Sequence, residues 1–429
     1  MKDPKWDKET NDGISRPESA EGPLIGLLTG GDDRSYAHGL AVSLAAAGVE
    51  IEFIASDALD GPVVRSNERI RFLNLRGDQS EDAALVSKVI RLGRYYLRLL
   101  IYAARTRARI LHVLWNNKFE LFDRTVLMLY YRLCGRKVVL TAHNVNAAKR
   151  DGHDNWLNRL TLAIQYRLSS HIFVHTQKMR SELHADFALP KEKISVIPFG
   201  LNDTSPRTEL TGKQGRVRLG IETDELVLLF FGQIAPYKGL RYLVEAFPAI
   251  YRHLPRVRLV IAGKVKRGNE DYWRSIENIL SKMDCRHRVI CRIEHIPDQD
   301  VEVYFKAADA LIVPYVQIFQ SGVPFLAYSF GLPVLATDVG SLSEEILADE
   351  TGFVCEPCDT DALVSMITRY ADSDLYKELP ERRPGIAEAA RERHSWTRVA
   401  EITRAVYEAV ADGSQNGRPA TERSRMESS

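Results

Sequence analysis

The chain of 429 residues is read as an α/β protein of two doubly wound, Rossmann-like domains facing each other across a cleft. Three observations predict this. Short, wholly apolar runs such as LVLLFFG (226–232) and ALIVPY (310–315) alternate with amphipathic helical segments, the pattern of a parallel sheet buried on both faces. The alternation breaks once, in a polar stretch at 201–215 rich in Thr, Lys, Gly and Asp, and then restarts at similar length. The length also exceeds what one ordinary core covers, so two domains of roughly 200 residues each are expected. The expected division is a disordered tail at 1–22, a first domain at 23–200, a linker at 201–215, a second domain at 216–392 and a second tail at 412–429.

Composition narrows the function classes. A hydrophobic fraction of 45% and a charged fraction of 27% are those of a soluble globular protein. No apolar run reaches the roughly 18 residues needed to span a bilayer. The polar, mixed-charge first 22 residues are not a signal peptide, so a cytoplasmic location is expected. Five cysteines without a secretion signal argue against a disulfide framework. Cys355 and Cys358 form a lone CxxC without a second pair or a nearby histidine, which is weak support for a metal or redox site. Formal charge is only +1, but residues 23–200 carry 25 Lys and Arg against 17 Asp and Glu, or +8, which leaves −7 elsewhere. A basic first half suggests an anionic partner; no nucleic acid is expected.

In chain order, IGLLTG (25–30) reads as a strand running into a glycine pair, Gly30 and Gly31, and then a helix stopped by Gly48. The spacing is not GxGxxG, so a dinucleotide oxidoreductase is not indicated. Strands follow at 51–56 and 71–75. A long helix at 84–109 places Lys88, Arg91, Arg94, Arg98, Arg105 and Arg109 on one face, with Val89, Leu92, Tyr96, Leu99 and Leu100 elsewhere. A solvated helix face explains the pattern, and peripheral contact with an anionic membrane is the alternative. Strands at 110–115 and 137–144 come next. The second ends at His143, where open parallel sheets place ligands, beyond the carboxyl ends of strands. Strands at 171–176 and 194–200 complete the first array.

The second array opens at 226–232, followed by the loop from Gln233 to Gly239 and a helix. Strands at 257–263 and 288–297 and a helix at 298–308 lead to the segment VPYVQIFQSGVPFLAYSFGLPVLATDVGS (313–341). There a buried strand feeds a polar loop and a helix opening at Gly322. Unpaired backbone N–H groups at the positive end of a helix dipole form an anion site, although an ordinary βαβ crossover has the same outline. The strings Asp298-Gln-Asp300 and Asp359-Thr-Asp361 each begin a helix, where aspartates cap and complement the dipole. No metal role is read from either.

Several segments together resemble one family, the family-4 glycosyltransferases of the GT-B fold. They are FFGQIAPYKGLRYLVEAF, HTQKMRSELHADFALPKEKISVIPFGLN, YFKAADALIVPY and SGVPFLAYSFGLPVLATDVGSL, with GFVCEP and HSWTRVAEITRAVYEA near the end. The resemblance is strong over 171–410 and looser over 24–170. It implies two Rossmann-type domains, a nucleotide sugar on the second, an acceptor on the first, and a C-terminal helix at 393–411 returning to the first. By position it implies Lys238 on the donor diphosphate, and backbone amides at Ser321, Gly322 and Val323 around its distal phosphate. His143 falls beside the transferred sugar, Gly30 and Gly31 in the first-strand glycine loop, and Arg292 in the stretch that meets the nucleobase. It further implies retention of anomeric configuration, no metal, no dedicated protein base, and no cofactor besides the nucleotide diphosphate sugar as co-substrate.

The sequence departs from that family twice. The usual Gly-Arg-x4-Lys is Gly232-Gln233-x4-Lys238, with an amide replacing one phosphate-facing cation. The usual Glu-x7-Glu falls on Ile318 and Leu326, and a leucine cannot accept a hydrogen bond from a ribose hydroxyl. Gln320 and Ser321 are the expected substitutes for the sugar contacts. The resulting reading is a retaining, metal-independent transferase acting on a glycan or lipid-linked acceptor at the inner face of a membrane. A sugar-nucleotide-binding protein with impaired catalysis is the alternative, with a nucleotide-sugar epimerase or a phosphorylase less supported.

Overall fold

A computed structural model describes residues 23–413 except 31–33, 80–84, 118, 147, 149–153, 202–207 and 319–320. Gly31 and Gln320 therefore lie outside the described residues. Seven parallel strands build the first sheet: β1 Leu24–Leu28, β2 Glu50–Ala55, β3 Ile70–Asn74, β4 Ile110–Val113, β5 Lys137–Thr141, β6 His171–Val174 and β7 Ile194–Val196, in the order β3-β2-β1-β4-β5-β6-β7. Six parallel strands build the second: β8 Leu226–Phe231, β9 Val257–Ala262, β10 Val289–Arg292, β11 Ala310–Val313, β12 Val334–Thr337 and β13 Gly352–Cys355, in the order β10-β9-β8-β11-β12-β13. Both sheets are doubly wound. Each reverses direction once, between β1 and β4 and between β8 and β11, and the crevice at such a point is where a ligand enters.

The inner strands are apolar because helices cover both faces. In β8, for example, the five residues from Leu226 to Phe230 are buried. The last helix, Trp396–Ala411, packs on the helix Arg34–Ala46 of the first half. It places Val399, Ala400, Val406 and Tyr407 in the first core. The Tyr407 hydroxyl lies 2.6 Å from Nδ1 of His112. Trp396 covers Gly39 and Gly200, where a Cβ would run into the indole, and its Nε1 donates to the Leu201 carbonyl at 2.8 Å.

Two expectations change. Within the polar stretch 201–215, residues 212–215 are already helical, in Gly212–Leu219. A capping box between Thr211 and Gln214 starts this helix. Gly212 and Gly215 let it approach the backbone carbonyls of Lys306 and Val303, and Arg216 pairs with Asp309 at 2.7 Å. The long basic helix spans Leu85–Arg105, so Arg109 stands outside it. Tyr96 and Leu99 face the core, but Val89 is 63% exposed.

Candidate active site

The second half supplies a cationic pocket. Beyond β8, Gly232 and Gln233 lead through the turn Pro236–Lys238 to Gly239. Gly239 has φ +64°, and a Cβ there would strike the Pro314 carbonyl, so the loop needs glycine at that position. This close approach drives Lys238 inward until only 6% of it is exposed. Its Nζ donates to the Tyr315 hydroxyl at 2.8 Å, and that hydroxyl lies 3.2 Å from Ser321 Oγ. Ser321 caps the helix Gly322–Ser329, accepting from the Val323 N–H at 3.4 Å. A Cβ built on Gly232 would sit 3.5 Å from Val323 Cγ2 and 3.8 Å from Lys238 Nζ, so these groups share one small space.

Among the described residues no carboxylate pairs with Lys238. A buried ammonium held only by a neutral phenol, beside a helix N-terminus, has room in its electrostatics for an anion. Of the expected donor residues, Lys238, Ser321, Gly322 and Val323 are brought together. Gln233 is exposed at the same mouth. Arg292 ends β10, two strands from β8. Its exposed side chain lines a separate cavity of about 230 Å³ with Glu294, Ile296 and Tyr304. Ile318 is buried in the second core and Leu326 packs against it, so both glutamate positions of the family pattern present only apolar surface.

The first half supplies an aromatic wall. Gly30 has φ +61°, and a Cβ there would collide with the Trp115 carbonyl. Trp115 stacks flat on His143, with centroids 4.2 Å apart and planes 2° apart, and Tyr36 meets the same imidazole edge-on at 4.7 Å. His143 Nδ1 lies 3.0 Å from His175 Nε2, and His175 Nδ1 lies 3.3 Å from the Ile197 carbonyl. A carbonyl only accepts, so His175 carries its proton on Nδ1 and accepts at Nε2. His143 must then donate from Nδ1, which leaves Nε2 as a bare acceptor, buried and without a partner. Burial holds His175 down to about 4. Burial, then the neighbouring His175 and His112, hold His143 well below the ordinary histidine range. Both rings are neutral near pH 7, so His143 suits acceptance of a hydrogen bond from a hydroxyl better than removal of a proton.

The two walls meet. Phe199, which follows β7, stacks on Phe325 of the helix Gly322–Ser329 at 5.3 Å and is the nearest side chain to Gly322. A cavity of about 260 Å³ lies between the halves, lined by Val145, Asn146 and Lys178 on one side and Val316, Gln317 and Asp338 on the other.

This geometry has counterparts. The description "Glycosyltransferase Family 4" matches residues 34–205, and "Glycosyl transferases group 1" matches residues 225–373, one in each half. The chain is a group 1, family-4 glycosyltransferase of the GT-B fold. It is an enzyme of the hexosyltransferase type. The transferase is 24% identical over 330 residues to an uncharacterized glycosyltransferase of Methanocaldococcus jannaschii, covering 73% of this chain and 81% of the relative. It is 24% identical over 353 residues to the D-inositol 3-phosphate glycosyltransferase of Corynebacterium glutamicum, covering 79% and 83%. Its fold is shared with sucrose-phosphate synthase from Thermosynechococcus elongatus, at TM-score 0.71 and 18% identity over 91% of this chain and all of that one. Anabaena HepE, solved in complex with UDP and glucose, follows at 0.68 and 15% with the same coverage.

Some expectations about the transferase need correction. Asp359 does cap its helix, accepting from the N–H groups of Asp361 and Ala362 at 2.9 and 3.0 Å. Asp298 does not: Pro297 holds the cap position and Asp298 only enters the first turn. Among the described residues no three His, Cys, Asp or Glu side chains converge as metal ligands. Cys355 and Cys358 are free thiols, and burial pushes the Cys355 thiol up to about 12, away from the thiolate that redox chemistry uses. Sequence reasoning also missed Trp115, His175, Phe199 and Tyr315. Each follows the carboxyl end of a strand, so the rule that pointed to His143, applied to every strand, would have found them.

Proposed function

We propose that the transferase moves a sugar from a nucleoside diphosphate to a glycan or lipid-linked acceptor, with retention of configuration and without a metal ion. The observation that carries this reading is the buried Lys238 ammonium, facing no carboxylate among the described residues and adjoining the amide end of the helix Gly322–Ser329. Rupture of the sugar–diphosphate bond leaves negative charge on the departing phosphate. Preorganised N–H donors and a lysine at that point stabilise it more in the transition state than in the ground state. The diphosphate itself takes the acceptor proton, while His143 Nε2 receives a hydroxyl of the transferred sugar and orients it. Complexes of HepE with UDP and with UDP-glucose support a uridine nucleotide as the first donor to test. Thermal-shift screening against nucleoside diphosphates and their sugars tests the site. A stabilising nucleotide whose effect disappears in Lys238→Ala supports it, and an undiminished shift in that variant rejects it.

A surface of the first half supports a membrane-side acceptor. Of the sixteen large apolar side chains exposed among the described residues, thirteen lie within 86–101, 119–133 and 156–160. Those segments are neighbours: Tyr130 donates to the Leu100 carbonyl at 3.1 Å, and Arg124 donates to Asn158 at 2.9 Å. Exposed Arg94 and Arg98 stand among them. An apolar patch interleaved with cations fits an anionic bilayer surface. No helix is long and apolar enough to cross a membrane among the described residues, so contact is peripheral in this reading. Flotation on anionic but not neutral vesicles is expected. Equal recovery on both removes the electrostatic component, and self-association without flotation assigns the patch to a second copy of the chain.

A further inference from the structure

We propose that Arg76 binds a phosphate or diphosphate group of the acceptor. Arg76 stands just beyond β3, its N–H bonded to the Ala55 carbonyl at the end of β2 at 3.3 Å, on the same carboxyl-end rim as Gly30 and His143. It is only 8% exposed, has no ion-pair partner among the described residues, and its Nη1 is buried without an acceptor. Its guanidinium lies 5.1 Å from the centre of the Tyr95 ring. The carboxylate of this cluster, Asp123, lies within electrostatic range of Arg76 but makes its hydrogen bonds elsewhere, accepting from the Tyr96 hydroxyl at 3.0 Å and from Asn117 Nδ2 at 3.2 Å. Asn117 Oδ1 in turn accepts from the Tyr95 hydroxyl at 2.7 Å, which fixes the ring beneath the guanidinium.

A buried donor left without an acceptor is costly in a folded protein. Structural arginines in such places use all their donors, whereas Arg76 keeps Nη1 buried without an acceptor. The guanidinium fork matches the oxygens of a phosphate. The position also fits. From Arg76 the contacts run through Tyr95 and Asn117 to Trp115, which stacks on His143, so an anion there lies on the acceptor side of the cleft, away from Lys238. The inference rests on the transfer reaction proposed above and adds to it the class of acceptor, a phosphorylated one. The phosphate can belong to a soluble ester or to a lipid headgroup, and the experiment separates the two.

Inorganic phosphate is titrated calorimetrically into the wild type, Arg76→Gln and Arg76→Lys, each saturated with the nucleotide found by thermal shift so that the Lys238 pocket is filled. One further phosphate is expected in the wild type. Its affinity falls about tenfold or more in Arg76→Gln and less in Arg76→Lys, with nucleotide affinity unchanged. Because a buried donor without an acceptor is removed, Arg76→Gln should melt at the same temperature or higher. Undiminished phosphate binding in Arg76→Gln, absence of the second phosphate in the wild type, or a lowered melting temperature overturns the proposal. Vesicles containing phosphatidic acid give the second arm. Flotation that depends on Arg76 identifies a lipid phosphate, and dependence confined to inorganic phosphate identifies a soluble ester. If no nucleotide binds at all, the transfer reading fails while Arg76-dependent phosphate binding is still measured on its own.

Discussion

His175 Nε2 sits 3.0 Å from His143 Nδ1, and this single contact sets which nitrogen of His143 is free. The proton order runs from the Ile197 carbonyl outward, so His143 is held in the Nδ1–H tautomer. Nitrogen-15 NMR of histidine-labelled protein should show His143 protonated at Nδ1 and bare at Nε2. His175→Leu removes the acceptor and should return His143 to the Nε2–H form. It should also lower kcat more than it raises KM for the donor, with the fold retained. His175→Gln, whose amide oxygen can accept, should recover part of the loss. An Nε2–H tautomer in the wild type would rule out this arrangement.

Lys238→Ala is expected to lower turnover about 100- to 1000-fold, the usual cost of losing one group aimed at developing negative charge. The fold should survive, because the residue pairs with no carboxylate among the described residues and its neighbour Tyr315 keeps the Ser321 contact. Tyr315→Phe should have a milder effect, since it frees the ammonium without removing it. Initial rates with circular dichroism as the folding control decide the matter. Wild-type rates in Lys238→Ala would mean that the leaving group departs elsewhere.

Glu344 joins the two halves. Its carboxylate accepts the backbone N–H groups of Gln177 and Lys178 at 3.3 and 3.1 Å, at the positive end of the helix Gln177–Phe187. The helix dipole favours an anion there. Glu344→Gln should weaken and Glu344→Ala abolish this contact, opening the cleft along that edge. Small-angle scattering should report a larger radius of gyration for Glu344→Ala, with kcat and KM changing together because closure assembles the site. An unchanged radius and unchanged kinetics would show that the contact does not control closure.

Acid should destabilise the enzyme above the range where carboxylates titrate. Burial lowers His112 to about 3 and His171 and His175 to about 4, from 6.5. The unfolded chain therefore binds these protons first. The stabilisation is fully present above pH 6.5 and is lost progressively as pH falls toward 4. Denaturant titrations at pH 7.5, 6 and 5 should show a falling midpoint. His171→Asn, which can keep a bond to Ser195, should flatten the profile. A midpoint constant over that range would contradict burial of these rings.

What was legible in the sequence followed from local rules. Apolar strands, glycine stops and helix starts reflect periodicity and backbone geometry, which neighbouring residues carry. All seven strands of the first array and the opening strands of the second were therefore visible as alternation, and His143 was marked by its place beyond a strand end, while Lys238 and Ser321 were marked by the family resemblance. The helix at Gly212 was hidden because its capping box lies in polar residues that also suit a linker.

The sequence alone determined the two-domain α/β class and the family, and it marked the places where a phosphate grip is proposed. Tertiary structure alone decided what those residues face. It set Lys238 against the Tyr315 phenol, chained His175 to His143, buried Arg76 Nη1 without an acceptor among the described residues, and gathered scattered apolar residues of three segments into one exposed patch. Charge pairing, tautomer and patch formation depend on side chains distant in sequence, such as Lys238 and Tyr315, 77 residues apart. Only the folded chain brings them within reach.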